Sequence, residues 1–182
     1  MSAYLAHIST VYFFLKWTPT LVVKSGFDVA QAAGVLVWAN GGSVLGAIVA
    51  TFVVRYAKPG HAILASLLLS GLAVASFGMA PVDLTILLSI AFVVGLAMSA
   101  SVTFFFAVLV QVFPVNLRAG AIGFVVGMGR GGAAIGPILA GLIFSLGAGR
   151  GQASVIFGFG SILAAVAMLF VMLRQKNAPK SD

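Results

Sequence analysis

Asn40-Gly-Gly-Ser-Val-Leu-Gly46 and Arg130-Gly-Gly-Ala-Ala-Ile-Gly136 are two versions of one heptapeptide, placed 90 positions apart in the chain. Each copy lies inside a long apolar stretch, carries glycines four positions apart and begins with one polar residue. Glycines at this spacing let transmembrane helices approach closely, and a segment that occurs twice indicates an internal repeat. The two motifs therefore predict packed membrane helices with a polar site between them.

The composition excludes an ordinary soluble domain. Hydrophobic residues make up 62% of the 182 residues and charged residues only 7%, whereas soluble domains carry roughly 25% charged residues. The mean hydropathy is +1.19. The absence of cysteine excludes disulfides and thiolate metal sites. The net charge of +7 forms no basic cluster, so we expect the lipid bilayer, and no nucleic acid, as a partner.

Six apolar runs are long enough to cross a bilayer, which takes about 20 residues. Glycine, proline and charged residues separate these runs, and no loop is long enough to form a domain. We expect one transmembrane domain over residues 1–173 and a polar cytoplasmic tail over residues 174–182. The predicted spans are residues 3–22, 29–53, 62–80, 85–112, 120–145 and 153–173.

Lysine and arginine residues outside the spans are distributed unevenly between the two sides of the membrane. Two of them, Lys24 and Arg150, lie on the side opposite to the termini, and six lie on the side of the termini. Cytoplasmic loops carry the excess of lysine and arginine in membrane proteins. We therefore expect both termini in the cytoplasm and the chain in the inner (plasma) membrane. The six residues are Arg55, Lys58, Arg118, Arg174, Lys176 and Lys180.

The repeat also predicts the fold class. Each copy contains three spans, an odd number, so the second copy must cross the membrane in the direction opposite to the first. Two inverted three-helix repeats form each six-helix half of a major facilitator transporter. We therefore predict an all-α membrane protein with six transmembrane helices, equivalent to half of that fold. The residues expected to pack its helices closely are Gly41, Gly42, Gly46, Gly131, Gly132, Gly136 and Pro137.

Arg130 is the first candidate for a binding residue. It lies close to the middle of its span, where an uncompensated guanidinium is costly. The chain has no Glu, and its three Asp residues lie at span ends or in the tail, so no carboxylate within the spans can pair with Arg130. Its partner is then a backbone carbonyl, a carboxylate on another chain or an anionic substrate. An arginine fork suits a planar carboxylate, which favours an organic anion. The alternative is a pairing that only fixes helix packing.

Polar and aromatic residues of the first two spans are further candidates. Tyr12 and Lys16 belong to a polar stripe that is expected to line a cavity, although Lys16 could instead extend to the outer headgroups. Asn40 occupies the place of Arg130 in the first repeat, and it bonds either the substrate or a neighbouring helix. Trp38 either stacks on an aromatic substrate or serves as an interface anchor or a packing residue.

No motif indicates catalysis or a resident cofactor. The stretch Gly127-Met-Gly-Arg-Gly-Gly132 matches the dinucleotide motif formally, but it lacks the preceding strand and the acidic residue that the motif requires. The chain has no Ser/His/Asp constellation, no H-E-x-x-H motif and no carboxylate pair. His7 and His61 lie near cytoplasmic span ends and are expected to be surface residues. We expect a protein that is not an enzyme and holds no metal or cofactor.

Several short stretches resemble the aromatic acid:proton symporters of the major facilitator superfamily. Trp17-Thr-Pro-Thr-Leu21 and Asn40-Gly-Gly42 resemble the seventh and eighth helices of that family. Arg118-Ala-Gly120, Gly129-Arg130 and Gly136-Pro137 look like its loop between the tenth and eleventh helices and its eleventh helix. The resemblance covers essentially the whole chain, but only the C-terminal six helices of the family.

This resemblance implies the C-terminal half of a secondary transporter for organic, aromatic carboxylic acids, coupled to protons in the complete carrier. This half would rock against a partner half, with Arg130 holding the substrate carboxylate and Lys16 and Asn40 assisting. The partner would be an N-terminal six-helix half, as a separate chain or a missing segment, or a second copy. The alternative is a truncated remnant without transport activity, or a membrane interaction module that dimerises through its glycine faces.

The resemblance also implies a gating loop after the second span. The family usually has Asp-Arg at this place, followed by glycine and basic residues, whereas this chain reads Val54-Arg55-Tyr56-Ala57-Lys58. Valine thus replaces the acid of the charge pair, and alanine replaces the glycine. The residues that the resemblance assigns to gating are Arg55, Lys58 and Arg118.

Overall fold

A computed structural model describes residues 1–57 and 59–177, and these residues are helical almost throughout. Their helices are α1 (Ser2–Lys24), α2 (Val29–Tyr56), α3 (Pro59–Met79), α4 (Leu84–Val112), α5 (Val115–Gly129), α6 (Gly131–Ser145) and α7 (Arg150–Asn177). The all-helical fold class is thereby confirmed. α5 and α6 follow one another directly and together form the fifth predicted span. α7 continues past the predicted boundary at 173, and residues 178–182 of the predicted tail lie outside the described residues.

Five of the six predicted spans are long and apolar enough to cross a membrane, within the part of the chain that the structure describes. They are Val29–Tyr56, Pro59–Met79, Leu84–Val112, Val115–Ser145 and Arg150–Arg174. α1 has the length but is less apolar, because polar side chains such as Ser9, Thr10 and Lys16 interrupt it. The structure therefore agrees with a membrane protein of five or six apolar helices.

On the side of the bundle where α1 ends and α2 begins, N-cap residues start the helices and short turns connect them. The Asp28 side chain accepts a hydrogen bond from the Ala30 amide (3.2 Å), and that of Asp83 accepts one from the Ile86 amide (3.1 Å). Both acids are thus N-caps, of α2 and α4, which satisfy amides that the helices leave free. Gly26, just after α1, has a φ of +99°, a conformation that favours glycine.

The glycines of the first motif divide into two kinds. Gly42 and Gly46 of α2 are buried against α4, where a Cβ would collide with the carbonyl groups of Phe92 and Leu96 respectively. Gly41 has open space around it. Because successive residues point about 100° apart on a helix, Gly41 faces away from α4. Its predicted role in packing is therefore not realised within this chain.

The second motif repeats this division against α1. A Cβ at Gly132 would lie 2.6 Å from the Leu5 carbonyl oxygen, and a Cβ at Gly136 would lie 2.5 Å from that of Ser9. Gly131, like its counterpart in the first motif, has nothing within 4 Å and does not pack helices within this chain.

Pro137 contributes to the same contact between α6 and α1. Its carbonyl accepts a hydrogen bond from Trp17 Nε1 at 3.2 Å. The Trp17 ring also lies against Phe144, with 4.7 Å between ring centroids. Trp17 is therefore fixed within the bundle by a hydrogen bond from its indole nitrogen and by the contact with the Phe144 ring.

His7 is not a surface residue, contrary to the sequence-based expectation. It is fully buried, and its Nδ1 lies 2.9 Å from the Ser161 hydroxyl of α7. One turn further along α1, the Thr10 hydroxyl donates to the Phe157 carbonyl at 2.7 Å. α1 contacts both α6 and α7, so this end of α1 is covered although it lies near the chain terminus.

Arg150 connects three helix ends on the side of the α1–α2 loop. Its Nε donates to the Gly78 carbonyl at 3.2 Å, its Nη2 donates to the Ala80 carbonyl, and its Nη1 lies 3.4 Å from the Ser25 hydroxyl. Carbonyl groups at the end of α3 are natural partners for a cation, because helix C-termini leave them unpaired and carry partial negative charge. Arg150 therefore stabilises the packing of this end of the bundle.

Candidate functional site

Arg130 stands at the junction of α5 and α6, where the fifth span is broken. The Arg130 amide still donates to the Val126 carbonyl at 2.9 Å, and the Ala133 amide donates to the Arg130 carbonyl at 2.9 Å. The interruption is therefore local and does not redirect the chain. The glycines on either side of Arg130 have weak helix propensity, which favours an interruption at this place. The single helix predicted over residues 120–145 is thus two helices that meet at its charged residue.

The Arg130 side chain is exposed on the surface of this bundle. Among the described residues no side-chain hydrogen bond or ion pair to it is formed, and the two described acids, Asp28 and Asp83, cap α2 and α4. A guanidinium in this position has all its donors available to a group outside the bundle. The arrangement can bind a carboxylate through two parallel hydrogen bonds.

Tyr4 is a neighbour of Arg130 that the sequence did not reveal. It is buried edge-on against Phe105, with 5.2 Å between ring centroids. Its ring covers Gly129, where a Cβ would collide with it. Gly129 precedes Arg130 in the chain, so Tyr4 lies beside the junction of α5 and α6. The available signal was weak, namely that Tyr4 and Tyr12 are two helical turns apart on one side of α1.

Asn40 lies at the edge of a cavity between α1, α2 and α4. The Asn40 side chain is exposed and makes no side-chain hydrogen bond to any described residue. The Ser43 hydroxyl, one turn on, shares its one hydrogen between the Ala39 carbonyl (3.0 Å) and the Gly95 carbonyl (3.2 Å), so it takes part in the α2–α4 contact. The cavity measures about 210 Å³ and is lined by Val11, Phe14, Leu15, Ala39, Asn40, Ser43, Gly95, Met98, Ser99 and Val102.

The helix packing sets Lys16 and Arg130 at different depths. Arg130 adjoins Gly132, which faces the Leu5 carbonyl near the start of α1. Lys16 lies eleven residues further along α1, which is roughly 16 Å at 1.5 Å per residue. Both side chains are exposed on the bundle, but the structure does not bring them together. The Asn40 cavity lies between the two levels, since it is lined by Val11 and Leu15 of α1.

The two aromatic candidates differ in their surroundings. Tyr12 is half-buried and packs at the edge of the bundle core, whereas Trp38 is 52% exposed. The Trp38 ring lies roughly perpendicular to that of Phe92, with 6.0 Å between centroids. The exposed part of Trp38 is open to a ligand, a partner helix or lipid.

The gating candidates lie at the opposite end of the bundle from Asp28. Arg55 is exposed and lines an open cavity of about 830 Å³, together with Tyr56, His61, Gln111 and Met172 among others. Arg118 donates from Nε to the Phe113 carbonyl at 3.4 Å, so it holds the α4–α5 connection. Lys58 lies outside the described residues.

Known proteins show what this chain resembles. No protein-family model matches it. The gallate transporter of Pseudomonas putida is 28% identical over 91% of this chain and 37% of its own length. The 3-(3-hydroxy-phenyl)propionate transporter of Escherichia coli (strain K12) is 28% identical over 96% of this chain and 43% of its own length. The gentisate transporter of Corynebacterium glutamicum is 26% identical over 88% of this chain. The resemblance to aromatic acid transporters is confirmed.

The similarity to aromatic acid transporters covers nearly all of this chain but only part of each relative. The chain spans about two fifths of the length of the curated relatives that it matches. These relatives are named as transporters rather than enzymes. Together with the apolar helices, they identify a multi-pass membrane protein.

Proposed function

We propose that this chain is the C-terminal half of a secondary transporter for aromatic carboxylic acids. The proposal rests on Arg130, an exposed guanidinium that makes no side-chain hydrogen bond to a described residue. It lies in the middle of an apolar helix long enough to span a membrane, and the relatives of the chain are aromatic acid transporters. Gallate and gentisate, after which two relatives are named, are carboxylates. An exposed arginine fork offers such an anion two parallel hydrogen bonds.

Two inverted three-helix repeats are part of this proposal. In the contact between the second and fourth spans, Gly42 lies against the Phe92 carbonyl. In the contact between the fifth and first spans, Gly132 lies against the Leu5 carbonyl in the same way. The next glycine of each motif, Gly46 or Gly136, lies one turn further along the same neighbour. Such reciprocity supports a repeat with an internal two-fold relation. Six spans put both termini on one side of the membrane, and the lysine and arginine excess on that side favours the cytoplasm, in the inner membrane.

The second and fifth spans have large exposed apolar surfaces, which support a partner for this half. In each of these two spans, 22% of the residues in the 18-residue apolar window are buried inside the bundle. The corresponding share is 50% in the third span and 44% in the fourth. Each of the two spans packs through one stripe of small residues, and its other faces are exposed. We propose that an N-terminal six-helix half, as a separate chain or a missing segment, covers them, and that a second copy is the alternative.

In the proposed mechanism Arg130 binds the substrate carboxylate while this half rocks against its partner. Asn40 and the exposed ring of Trp38 contact the rest of the substrate, and Tyr12 lines the site beside Arg130. Lys16 lies too far along the bundle to share the same carboxylate, so it attracts anions from the side of the α1–α2 loop instead. Arg55, Lys58 and Arg118 act in gating at the other end.

Uptake by a reassembled carrier tests the proposal. We expect cells that produce this chain together with the N-terminal six helices of the similar gallate transporter to take up labelled gallate. Cells that produce either part alone should show background uptake. A protonophore should abolish the signal if protons drive transport. Background uptake of every aromatic acid by the pair, with both parts present in the membrane, would favour a remnant without transport activity.

Topology can be tested with single cysteines, because the chain has none of its own. Val82, in the α3–α4 loop, and Ala57, in the α2–α3 loop, are both exposed. In intact cells an impermeant maleimide should label Val82→Cys at once, and it should label Ala57→Cys only after the membrane is permeabilised. Labelling of both positions in intact cells would contradict six spans with cytoplasmic termini.

A further inference from the structure

We propose that the cavity between α1, α2 and α4 binds the ring of the aromatic acid, and that the Asn40 amide recognises a hydroxyl group on that ring. This inference rests on the proposed function, and it names the part of the substrate that the helical bundle recognises. Arg130 would select for a carboxylate, whereas the cavity would select among carboxylates by the size and substitution of the ring.

The cavity has the size and surface that a single ring requires. Its volume is about 210 Å³, and an apolar cavity of about 150 Å³ is enough to bind benzene. Most of its lining is aliphatic or aromatic, including Phe14, Leu15, Met98 and Val102. A site of this kind favours an apolar ring and leaves room for one substituent.

The walls of the cavity are fixed by close helix contacts. A Cβ at Gly95 would collide with the Ala39 carbonyl, so α2 and α4 touch through their backbones at this level. The Ser43 hydroxyl, which donates to the Ala39 and Gly95 carbonyls, joins the same two helices. A cavity bounded by such contacts keeps its shape, and it can discriminate between ligands by size.

Asn40 supplies a polar group at the edge of the cavity, whose lining also includes Ser43 and Ser99. Its amide has both a donor and an acceptor, which matches a phenolic hydroxyl that donates and accepts one hydrogen bond each. The side chain makes no hydrogen bond to a described residue, in contrast to Ser43, whose hydroxyl is used within the bundle. A polar group that waits for a substrate hydroxyl disfavours the analogue that lacks it, because the group is then left unpaired.

The cavity and Arg130 lie at different levels along the bundle axis. The cavity lies at the level of Val11 and Leu15 of α1, whereas Arg130 lies near the level of Leu5. The separation along the axis is therefore roughly 9–15 Å at 1.5 Å per residue.

Ligand binding to the purified chain in nanodiscs tests the inference without any need for transport. Saturation-transfer NMR with 4-hydroxybenzoate and benzoate compares a ring with and without the hydroxyl group. We expect the wild-type chain to bind both, with about tenfold preference for 4-hydroxybenzoate, the effect of one hydrogen bond at the upper end of its range. Asn40→Leu should remove the preference, because 4-hydroxybenzoate then loses its hydrogen bond and benzoate no longer leaves an amide unpaired. Val102→Phe, which fills the cavity, should weaken both.

Two controls separate a site from a structural effect. Thr51 is an exposed residue of α2, and its hydroxyl donates to the Ala47 carbonyl of the same helix. Thr51→Val should leave both affinities unchanged. Elution as a single species establishes folding, and Leu15→Phe fills the cavity from α1 if Val102→Phe does not fold. Equal loss of both ligands in Asn40→Leu, unchanged binding in a folded filled variant, or no binding by the wild-type chain would overturn the inference. Gallate uptake by the reassembled carrier would still decide the proposed function separately.

Discussion

Arg130→Lys is expected to abolish most uptake by the reassembled carrier, while the amount of folded protein in the membrane stays the same. Lysine keeps the positive charge but loses the planar fork that holds a carboxylate through two hydrogen bonds. Loss of a charge-assisted hydrogen bond costs about 1.5–3 kcal/mol, which corresponds to a reduction of roughly 10- to 150-fold in uptake at low substrate concentration. The measurement is initial uptake divided by the quantity of monodisperse protein.

Arg174→Lys is the matched control for this experiment. Arg174 is exposed at the end of the apolar part of α7, where its guanidinium lies 4.7 Å from the Phe170 ring centroid. Arg150, although it lies in a loop region by sequence, is unsuitable because it donates to the Gly78 and Ala80 carbonyls. Unchanged uptake per folded molecule in Arg130→Lys would refute the role of Arg130 as substrate anchor. A loss of uptake that only follows the loss of folded protein would assign Arg130 a structural role.

Gly42→Leu and Gly132→Leu are each expected to prevent normal folding of the chain in detergent. A Cβ at Gly42 would collide with the Phe92 carbonyl, and one at Gly132 would lie 2.6 Å from that of Leu5. A backbone carbonyl in a helix cannot move aside as a flexible side chain can, so the two helices must separate. Overpacking costs about 1–3 kcal/mol where side chains can adjust, and we expect a cost at or above the upper end. The yield of monodisperse protein measures the effect.

The neighbouring glycines provide matched controls. Gly41→Leu and Gly131→Leu place the same side chain one position earlier, where nothing lies within 4 Å. We expect the chain alone to tolerate both. Gly78 is a poor control despite its place near the end of α3, because a Cβ there would collide with Ser154 of α7. Equal yields for all four variants would show that the repeated motif is not a packing surface. In the reassembled carrier, a defect confined to Gly41→Leu or Gly131→Leu would locate a face that the partner half covers.

The sequence was sufficient for those features that depend on local pattern. Long apolar runs identify helices without reference to the rest of the fold, because a bilayer leaves the backbone few alternatives. The recurrence of Asn40–Gly46 at Arg130–Gly136 identified the two segments that carry close helix contacts. The same pattern did not distinguish Gly41 from Gly42, because both are small and adjacent. The direction of each around its helix is decided by where α4 lies.

The tertiary structure alone decided which residues meet across the chain. His7 is buried because α7 covers the first turns of α1, and its partner Ser161 is 154 positions away. α1 packs on α6 with Leu5 opposite Gly132. This register puts Tyr4 beside Gly129 and Arg130, and it puts Lys16 away from Arg130. Hydropathy and spacing determine that each segment is a helix and roughly where it ends. They do not determine how far one helix slides or rotates against another, and contacts such as these depend on that relative placement.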